Sequence, residues 1–392
     1  MKNRSWAEVD LDAIAHNVNE IKKKLARNTE IMGVVKADAY GHGVFETAQT
    51  ILDSGASRLA VSMLDEAIQL RHMGINVPIL ILSYTEPSRA AELICNDITQ
   101  TVYSIELAKS LSEAAVKLNK NIKIHIKIDT GMTRVGFAPG YAAVKNVAEI
   151  SKLPGIIVEG LFTHFSKADE EDTAYTFMQF ERFMSICAEL KRIGIIIPIK
   201  HVSNSAAAIN FLELQLDMIR PGIILYGLYP SHETNKGILD LKPAMTLKSS
   251  VIMIKKVDCG TSISYGGNFV TSRPSYIATI PIGYADGYLR SLSNRAKVLI
   301  KGRLVPIVGN ICMDQCMVDI TDIVGNTSDE EVKIGEEVVL FGRQGENEIN
   351  VTELADIIGT INYELVSIIG KRIPRMYIKD GKVIKVLNYL IT

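Results

Sequence analysis

The sequence predicts an α/β protein with an N-terminal (β/α)₈ TIM barrel followed by a C-terminal, mainly antiparallel β domain. Up to about residue 240, short apolar runs alternate with amphipathic stretches, which is typical of βα units in a parallel sheet. Eight such runs over roughly 200 residues are what a closed barrel needs. Beyond that point, β-rich runs and turn residues dominate. We therefore expect a barrel over residues 1–240 and a β domain over residues 241–392.

The barrel strands are predicted from apolar runs that are bounded by turn residues. Eight runs meet this description: Ile31–Val35, Arg58–Val61, Ile79–Leu82, Thr99–Val102, Ile122–Ile128, Ile157–Phe162, Ile199–Val202 and Met218–Leu225. The amphipathic stretches between them predict helices, among them Leu64–His72, Ser104–Leu118, Gly140–Ser151 and Thr173–Ile193.

The second domain is predicted from β-rich runs separated or bounded by turns such as Lys301-Gly302, a pattern that indicates antiparallel strands. The predicted strands are Thr246–Val257, Tyr276–Ile282, Lys297–Ile300, Arg303–Ile307, Met317–Ile320, Glu337–Phe341 and Met376–Lys379. Two short helices are expected at Val351–Ile358 and Asn362–Ile369. The strand-like run Ser5–Leu11 precedes the barrel and is a candidate for pairing with the second domain.

The composition excludes several classes of protein. A chain of 392 residues with 47% hydrophobic residues has enough apolar surface to fold, unlike a disordered protein. With 43 Lys and Arg against 44 Asp and Glu, it is too close to neutral for broad binding to nucleic acid or to anionic membranes. Neither a membrane span nor a secretory signal is expected from the apolar pattern. The five cysteines form no CxxC pair, which favours free thiols in a reducing cytoplasm.

Lys36 is the first candidate for a reactive residue. In barrels of this kind the active site lies at the carboxyl ends of the strands, and Lys36 follows the first apolar run. Partial burial would lower its pKa, because burial disfavours the charged amine. Such an amine forms Schiff bases with carbonyl compounds. The alternative interpretation is a surface lysine at the end of a strand.

The fifth predicted strand ends in a second group of polar residues. The period-two alternation of a strand places Lys127 and Asp129 on one face. Arg134 follows a glycine-containing turn and could clamp a carboxylate or phosphate oxygen. The alternative is a structural Lys–Asp pair with a solvated arginine.

Two histidines follow neighbouring strands, His164 after the sixth and His201 after the seventh. They lack a third ligand at metal spacing, so no metal site is expected. Either histidine could equally be a packing residue.

The last two predicted barrel strands are followed by candidates for anion binding. Asn204 and Ser205 precede a predicted helix, so Ser205 is either a helix N-cap or a phosphate ligand. Pro221-Gly222, after Arg220, lets the backbone approach a ligand closely. Loops after strands seven and eight form the usual phosphate site of these barrels. Together with Lys36, these features suggest pyridoxal 5′-phosphate; the alternative is a plain Pro-Gly turn.

The order of these motifs resembles that of bacterial alanine racemase. The matching motifs cover nearly the whole chain: Val34–Gly43 (VVKADAYGHG), Lys127–Gly136 (KIDTGMTRVG), His164, His201–Ala207 (HVSNSAA), Arg220–Gly222, Ser264–Gly266 and Gly309–Asp314 (GNICMD). The resemblance implies a cytoplasmic isomerase that depends on pyridoxal 5′-phosphate and supplies D-alanine for peptidoglycan of the cell wall. It also implies a head-to-tail homodimer in which each active site takes residues from both subunits.

The resemblance assigns the cofactor-binding residues. Lys36 would carry pyridoxal 5′-phosphate covalently, and His164 would lie against its ring. Arg220 would donate a hydrogen bond to the ring nitrogen, with His201 supporting Arg220. The phosphate would be held by residues from both domains, with Asn204 beside them: Tyr40, Ser205, Gly222, Ile223 and Tyr363.

The resemblance also assigns the substrate-binding residues. Arg134 would reach the cofactor's phenolic oxygen and the substrate carboxylate. Lys127 matches a lysine that the family often carries as a carbamate. The partner subunit would contribute four residues: Tyr265, Tyr284, Met313 and Asp314. Asn310 stands where the family commonly has arginine, which affects the expected detail of the substrate entrance.

Racemisation of L- and D-alanine requires two acid/base groups, because the α-proton leaves one face and returns to the other. The resemblance implies Lys36 on one side and Tyr265 on the other. The phenol of Tyr265 would need a pKa lowered towards working pH by nearby cations. Arg220 would not protonate the ring nitrogen, because a guanidinium keeps its proton. The ring would then be a weaker electron sink, which limits transamination.

Four alternatives remain at this point. A related decarboxylase would place an acid, in place of Arg220, against the ring nitrogen. A non-catalytic carrier of pyridoxal phosphate would lack the second domain. A serine or broad-specificity racemase would tend to have a smaller polar residue in place of Tyr363. A purely structural barrel would leave the ordered motifs unexplained.

Overall fold

The computed structural model describes residues 4–324 and 332–391. It contains two compact units. Ala13–Ala39 and Val44–Lys242 form the first, which we call the barrel unit. Met1–Asp12, Tyr40–Gly43 and Pro243–Thr392 belong to the second, which we call the sheet unit.

The barrel unit is an eight-stranded parallel sheet whose two ends approach each other. After β1 (Ser5–Asp10), which belongs to the sheet unit, the barrel strands are β2 (Glu30–Val34), β3 (Arg58–Val61), β4 (Ile79–Ile81), β5 (Thr99–Val102), β6 (Ile122–Lys127), β7 (Ile156–Phe162), β8 (Ile199–His201) and β9 (Met218–Ile219). Their order is β8-β7-β6-β5-β4-β3-β2-β9. Asp217 N–H donates to Lys200 O at 3.1 Å and Arg220 N–H to Ser203 O at 3.0 Å. These two bonds join the ends, so the predicted barrel is confirmed as near-closed.

Helices connect the barrel strands. Their bounds are Leu11–Lys23, Val44–Asp53, Leu64–His72, Ala90–Cys95, Ile105–Lys117, Tyr141–Ile150, Ala174–Arg192 and Ser205–Asn210. The four helices predicted by range are confirmed to within a residue at each end. Ser104 explains one start, because its hydroxyl accepts the Leu107 N–H at 3.1 Å as an N-cap.

The prediction of one strand over Met218–Leu225 was wrong beyond Ile219. Pro221 has no N–H for a ladder bond, and Ile223–Tyr226 forms a short 3₁₀ helix. The apolar character of this segment reflects burial, because every residue from Ile223 to Tyr226 is buried. Periodicity cannot separate a buried strand from a buried turn of this length.

Within its described residues, the sheet unit is built from β1 and twelve further strands. They are β10 (Met245–Ser250), β11 (Met253–Val257), β12 (Ser262–Ile263), β13 (Phe269–Val270), β14 (Ser275–Ile280), β15 (Lys297–Ile300), β16 (Arg303–Pro306), β17 (Cys316–Asp319), β18 (Glu337–Gln344), β19 (Asn347–Ile349), β20 (Arg375–Lys379) and β21 (Lys382–Leu387). The largest sheet has the order β16-β15-β18-β10-β1-β20-β21, with β19 on β18. The others are β11-β14-β17 and the pair β12-β13. All pairs are antiparallel except β1 with β20. The helices are Val351–Ile358 and Asn362–Ser367.

The single predicted strand Thr246–Val257 is in fact two strands in different sheets, β10 and β11. The Val251 N–H donates to Glu336 O at 2.9 Å, whereas the Ile252 N–H donates to Thr279 O at 2.9 Å. The chain therefore changes sheet between these two residues. Hydropathy gave no sign of the change, because both halves are rich in β-forming residues.

Within the described ranges, no helix has the length and apolarity needed to cross a membrane.

Candidate active site

Lys36 begins an unusual turn directly after β2 and Val35. The four residues that follow it, Ala37 to Tyr40, all have φ between 52° and 54°. This left-handed conformation is costly for residues that carry a Cβ. Carboxylates hold it: Glu66 Oε1 accepts the Ala37 N–H at 2.6 Å, and Asp38 Oδ1 accepts the Val44 N–H at 2.8 Å. The turn therefore fixes the backbone from which the Lys36 side chain projects.

The Lys36 amine lies in a setting that favours its neutral form. The residue is half-buried. Burial lowers its pKa, the positive charge of Arg134 lowers it further, and the Glu66 carboxylate opposes both effects. An amine with a lowered pKa is a better nucleophile and base at neutral pH.

Arg220 is a buried cation whose side chain bonds to neutral acceptors. Its Nη1 donates to His201 Nδ1 at 2.7 Å. Its Nη2 donates to the carbonyl oxygens of Thr163 at 2.8 Å and Val202 at 3.1 Å, and it lies 3.3 Å from His164 Nδ1. Burial, with a smaller effect of Arg134, lowers the pKa of Arg220 to about 9. The guanidinium thus stays protonated at neutral pH.

Phe162 is a residue that the sequence reasoning missed. The Lys127 Nζ lies 4.7 Å from the centroid of its ring, and the Arg220 guanidinium carbon lies 5.2 Å from it. The His201 ring stacks on it at 4.7 Å and 6°. Arg220 is the cation of this pair at neutral pH, and a cation over an aromatic face is stabilised by the ring quadrupole. The sequence offered one sign of this role, because Phe162 is an aromatic residue at the end of the sixth predicted strand.

Lys127 is 4% exposed. Burial lowers its pKa well below the usual range, and the nearby charges of Arg220 and Arg134 add to this effect. A neutral amine is the form that reacts with carbon dioxide. The lowered pKa of Lys127 agrees with the carbamate that the resemblance implies, which stays a prediction.

Asp129 organises the loop that carries Arg134. Its carboxylate accepts the backbone N–H groups of Gly131 at 3.1 Å, Thr133 at 2.9 Å and Arg134 at 3.0 Å. These bonds fold the loop, and Arg134 itself is exposed. Asp129 therefore anchors the loop through its backbone bonds, and its charge also acts on Lys127, whose pKa it raises against the effect of burial.

The N-cap interpretation of Ser205 was wrong. Asn204 is the N-cap, because its Oδ1 accepts the Ala207 N–H at 3.0 Å from an extended backbone. The Ser205 Oγ instead accepts the Gly222 N–H at 2.8 Å. This bond ties together the loops after β8 and β9, with Ile223 at the start of the next turn.

The barrel unit thus gathers the predicted residues of its own range at one end. Lys36 follows β2, Lys127 ends β6, His164 follows β7, His201 ends β8 and Arg220 follows β9. Parallel strands in one barrel share their direction, so these positions lie at the same rim.

In the sheet unit, Tyr265 is 74% exposed and begins a short 3₁₀ turn. Ser264, at φ 66°, precedes it and donates from Oγ to Asn310 O at 2.6 Å. Asn310 Nδ2 donates to Tyr265 O at 2.7 Å. Asn310 therefore holds the backbone of Tyr265 in place. Tyr284 and Met313 are also exposed, at 41% and 52%.

Asp314 is anchored by residues that no sequence spacing indicated. Arg372 Nη2 lies 2.6 Å from Asp314 Oδ1, and Arg372 Nε lies 3.5 Å from Asp286 Oδ1. Asp286 is fully buried and also binds Arg4 at 2.9 Å. The buried carboxylate of Asp286 thus holds both arginines.

Two tyrosines of the predicted phosphate group meet within the sheet unit. The rings of Tyr40 and Tyr363 have centroids 6.1 Å apart and are inclined at 49°. Burial raises the pKa of Tyr40, so its hydroxyl keeps its proton and can donate. In the part of the chain that the structure describes, no cluster of three or more His, Cys, Asp or Glu side chains could hold a metal ion.

Comparison with known proteins gives one consistent result. The chain matches the models of the alanine racemase N-terminal domain over residues 9–230 and C-terminal domain over residues 244–377. It is 49% identical over 386 residues to alanine racemase of Clostridium tetani, covering 98% of each chain. An alanine racemase structure from Clostridium difficile is 44% identical, with a TM-score of 0.94 over 100% of both chains. A histidine racemase structure from Leuconostoc mesenteroides is 30% identical, with a TM-score of 0.88 over 96% of this chain and 98% of that chain. Two family models in sequence order and near half identity over almost the whole length show that this chain belongs to the alanine racemase family.

Proposed function

We propose that this protein is an alanine racemase that interconverts L-alanine and D-alanine, with pyridoxal 5′-phosphate as cofactor and Lys36 and Tyr265 as its two acid/base groups. The buried Arg220, bound to His201 at 2.7 Å, is the observation that carries the proposal. A decarboxylase would need an acid at this position. The activity named for the alanine racemases among the similar proteins supports the same reaction.

The residues present fit this cofactor. An aldehyde needs a neutral amine, and Lys36 has a lowered pKa. A pyridine nitrogen without a proton needs a donor, and Arg220 carries donors alone. A phosphate needs close donors, and the loops of Ser205 and Gly222 are tied together at 2.8 Å. When bound, the cofactor supplies an electron-withdrawing ring that stabilises negative charge on the substrate's α-carbon.

We assign the phosphate to Ser205, Gly222 and Ile223, with Tyr40 and Tyr363 completing the group and Asn204 capping the adjacent helix. The Ser205 Oγ already accepts the Gly222 N–H, so its own hydrogen is available for donation. His164 would lie against the cofactor ring. Burial lowers the pKa of His164 well below its usual range, so it is a neutral packing surface there.

Arg220 sets the electronic character of the site. Its proton stays on the guanidinium at neutral pH, so Arg220 would donate a hydrogen bond to the ring nitrogen of the bound cofactor without protonating it. An unprotonated ring would be a weaker electron sink, which would limit transamination.

Inversion at the α-carbon is divided between two residues. The Lys36 Nζ exchanges a proton on one face, and the hydroxyl of Tyr265 of the partner subunit exchanges a proton on the other. Arg134 binds the substrate carboxylate, and a carbamate on Lys127 would put a negative charge beside Arg134. Three further residues of the partner subunit border the substrate: the partner's Tyr284, the partner's Met313 and the partner's Asp314.

Tyr363 supports alanine as substrate, because serine-active relatives tend to carry a smaller polar residue at that position. We place the enzyme in the cytoplasm as a homodimer that supplies D-alanine for peptidoglycan. The five free thiols agree with a reducing compartment.

Borohydride reduction of the purified enzyme, followed by peptide mapping, tests the cofactor assignment. We expect loss of the visible absorption band and a label on Lys36. Lys36→Ala abolishes the label and the formation of D-alanine from L-alanine, whereas Lys145→Ala, at a helix surface, leaves both unchanged. A label on a different lysine, or no racemisation by the wild type, would contradict the proposal.

A further inference from the structure

A continuous chain of polar groups leads away from Arg220 into the barrel, buried as far as its last member, the half-buried Glu159. Arg220 Nη1 binds His201 Nδ1 at 2.7 Å, and His201 Nε2 lies 2.8 Å from His125 Nδ1. His125 Nε2 lies 3.1 Å from Glu159 Oε2. Both histidines are fully buried. We call this set of four residues the relay.

Chemistry allows one arrangement of protons along the relay. A guanidinium has no acceptor, so the Nδ1 of His201 must accept. A neutral His201 then carries its hydrogen on Nε2 and donates it to His125 Nδ1. His125 in turn carries its hydrogen on Nε2 and donates it to Glu159. Each histidine is therefore fixed in the Nε2–H tautomer.

The far end of the relay is anchored by a second arginine. Arg58 Nη1 donates to Glu159 Oε2 at 3.0 Å, and Arg58 Nε donates to Glu30 Oε2 at 2.9 Å. β3, which carries Arg58, and β7, which carries Glu159, are not neighbours in the sheet, so this contact crosses the barrel interior. The bond from His125 lowers the pKa of Glu159 to about 2, and Arg58 and Lys123 contribute, so Glu159 is an anion.

The local sequence is shaped for this contact. Ile124 pairs with Val158 but His125 pairs with Gly160, so Glu159 is the extra residue of a β-bulge. A Cβ on Gly160 would lie 2.4 Å from His125 Nδ1. Only glycine leaves room for the ring at this point.

Burial alone does not account for these residues. Barrel interiors are usually filled with branched aliphatic side chains, and a buried polar network is destabilising unless every group is satisfied. This network is satisfied and ends at Arg220. The charges around the two histidines come from Arg220, Lys127, Arg58 and Glu159.

We propose that His125 and Glu159 are positioning residues for Arg220, which hold His201 in the tautomer whose Nδ1 lone pair faces the guanidinium. Without the acceptor at the far end, His125 can change to the Nδ1–H tautomer and donate to His201. His201 then carries its hydrogen on Nδ1, directs that N–H at Arg220 and displaces the guanidinium. This inference rests on the proposed function for the role of Arg220 at the ring nitrogen. The tautomers themselves can be measured without reference to it.

Two-bond ¹⁵N–¹H spectra of the full chain labelled in its seven histidines give the first test. In the wild type we expect His125 and His201 as neutral Nε2–H tautomers. Glu159→Gln keeps an acceptor oxygen and retains both. Glu159→Leu removes the acceptor, and the Nδ1–H form of His125 becomes populated. A wild-type His201 protonated on Nδ1 would overturn the proposal.

Kinetics of the same variants give the second test. We expect Glu159→Leu to lower kcat by about 10- to 100-fold, as losses of outer hydrogen-bond partners do elsewhere, with KM changed less than threefold and the visible absorption band shifted. Glu159→Gln retains activity to within about threefold, and so does Glu92→Leu, which removes an arginine-paired surface carboxylate. If Glu159→Leu does not fold, Gly160→Ala displaces His125 instead and is expected to show the same loss.

The outcomes separate the two proposals. Unchanged tautomers and unchanged kcat in Glu159→Leu would show that the relay does not position Arg220. A cofactor label that is absent from Lys36 would contradict the proposed function, while the tautomer spectra would still report on the relay.

Discussion

At the scale of single residues, the basic side chains of the site differ in how firmly they keep their protons. Arg220 bonds to neutral acceptors in the interior and keeps its proton, whereas Lys36 and Lys127 have pKa values lowered chiefly by burial. Guanidinium and amine thus respond differently to a similar environment. A lysine in place of Arg220 would lose its proton far more readily and would present one point charge where the structure uses a fork of donors.

Tyr265→Ala tests the division of labour between the two faces. The variant keeps Lys36 and so retains the cofactor, but racemisation should fall by about 10²- to 10⁴-fold, the contribution of one positioned acid/base group. Exchange of the α-proton with solvent should survive better for D-alanine, the enantiomer that the resemblance places with its proton towards Lys36. Deuterium incorporation into each enantiomer in heavy water measures this. Equal loss of exchange for both enantiomers would rule out the two-base assignment.

At the scale of elements, the left-handed turn from Ala37 to Tyr40 continues into Gly41, at φ 79°. A Cβ on Gly41 would lie 2.0 Å from the carbonyl oxygen of Val366. Gly74 has nearly the same backbone, φ 84°, but nothing lies within 4 Å of its Cβ position. Substitution of Gly74 thus reports the cost of the left-handed backbone alone, whereas substitution of Gly41 adds the cost of the close contact with Val366.

We expect Gly74→Ala to lower the free energy of unfolding by about 1–2 kcal/mol, the cost of left-handed backbone at a residue with a Cβ. Gly41→Ala should lower it by clearly more, because the carbonyl must also move. Urea unfolding of both variants at one pH measures the difference. Equal urea midpoints for the two variants would mean that the turn moves to make room for the Cβ, and that the close approach to Val366 does not contribute to the free energy of unfolding.

Elements also show how far sequence reasoning reaches. Short apolar runs predicted the barrel, because each βα unit has its own pattern in a short stretch of sequence. The positions of Lys36, His201 and Arg220 at strand ends predicted that they belong to the site. The change of sheet after Val251 and the 3₁₀ turn at Ile223 were missed, because both depend on partners distant in sequence. Glu159 was missed for the same reason: its role comes from a bulge and from Arg58 across the barrel interior, and neither leaves a local pattern.

At the scale of the whole molecule, mixed subunits test the proposal that each active site is shared between two subunits. Lys36→Ala and Tyr265→Phe are each expected to be nearly inactive alone. When equal amounts of the two are mixed and allowed to exchange, about half of the dimers are hybrids, and each hybrid holds one intact site of two. Activity should therefore return towards about a quarter of that of the same amount of wild-type enzyme. Racemase assays after exchange, monitored with tagged chains, measure this. Exchange without any recovered activity would contradict a site built from two subunits.

Acid should destabilise the whole fold through its buried histidines. Burial lowers the pKa values of His125, His164 and His201. Their unfolded forms take up protons below about pH 6.5, where the folded forms do not. Stability is therefore full above that pH and falls as the pH drops below it. Glu159, with a pKa of about 2, adds a further loss as the pH falls below about 4.5.

Urea midpoints of the cofactor-free chain at pH 8, 6.5 and 5 measure this effect. We expect a decrease from pH 6.5 to pH 5 that is smaller in His164→Asn, which removes one buried imidazole. His72→Gln, at an exposed helix end, should behave as the wild type. A midpoint that is constant from pH 8 to pH 5 would show that the buried imidazoles do not control acid stability.

The position of β1 in the sheet unit has a consequence for synthesis. Its Ser5 hydroxyl bonds to that of Ser249 at 2.8 Å although 244 residues separate them, and its other neighbour is β20. At about 5–20 residues per second, the ribosome releases β1 on the order of ten seconds or more before β10 exists. Throughout that time β1 is an unpaired strand, which is a template for wrong pairing. The nascent chain thus completes the eight-stranded sheet of the sheet unit around a strand made long before the others of that sheet, and a ribosome stalled before β20 would release a product in which β1 has an open edge.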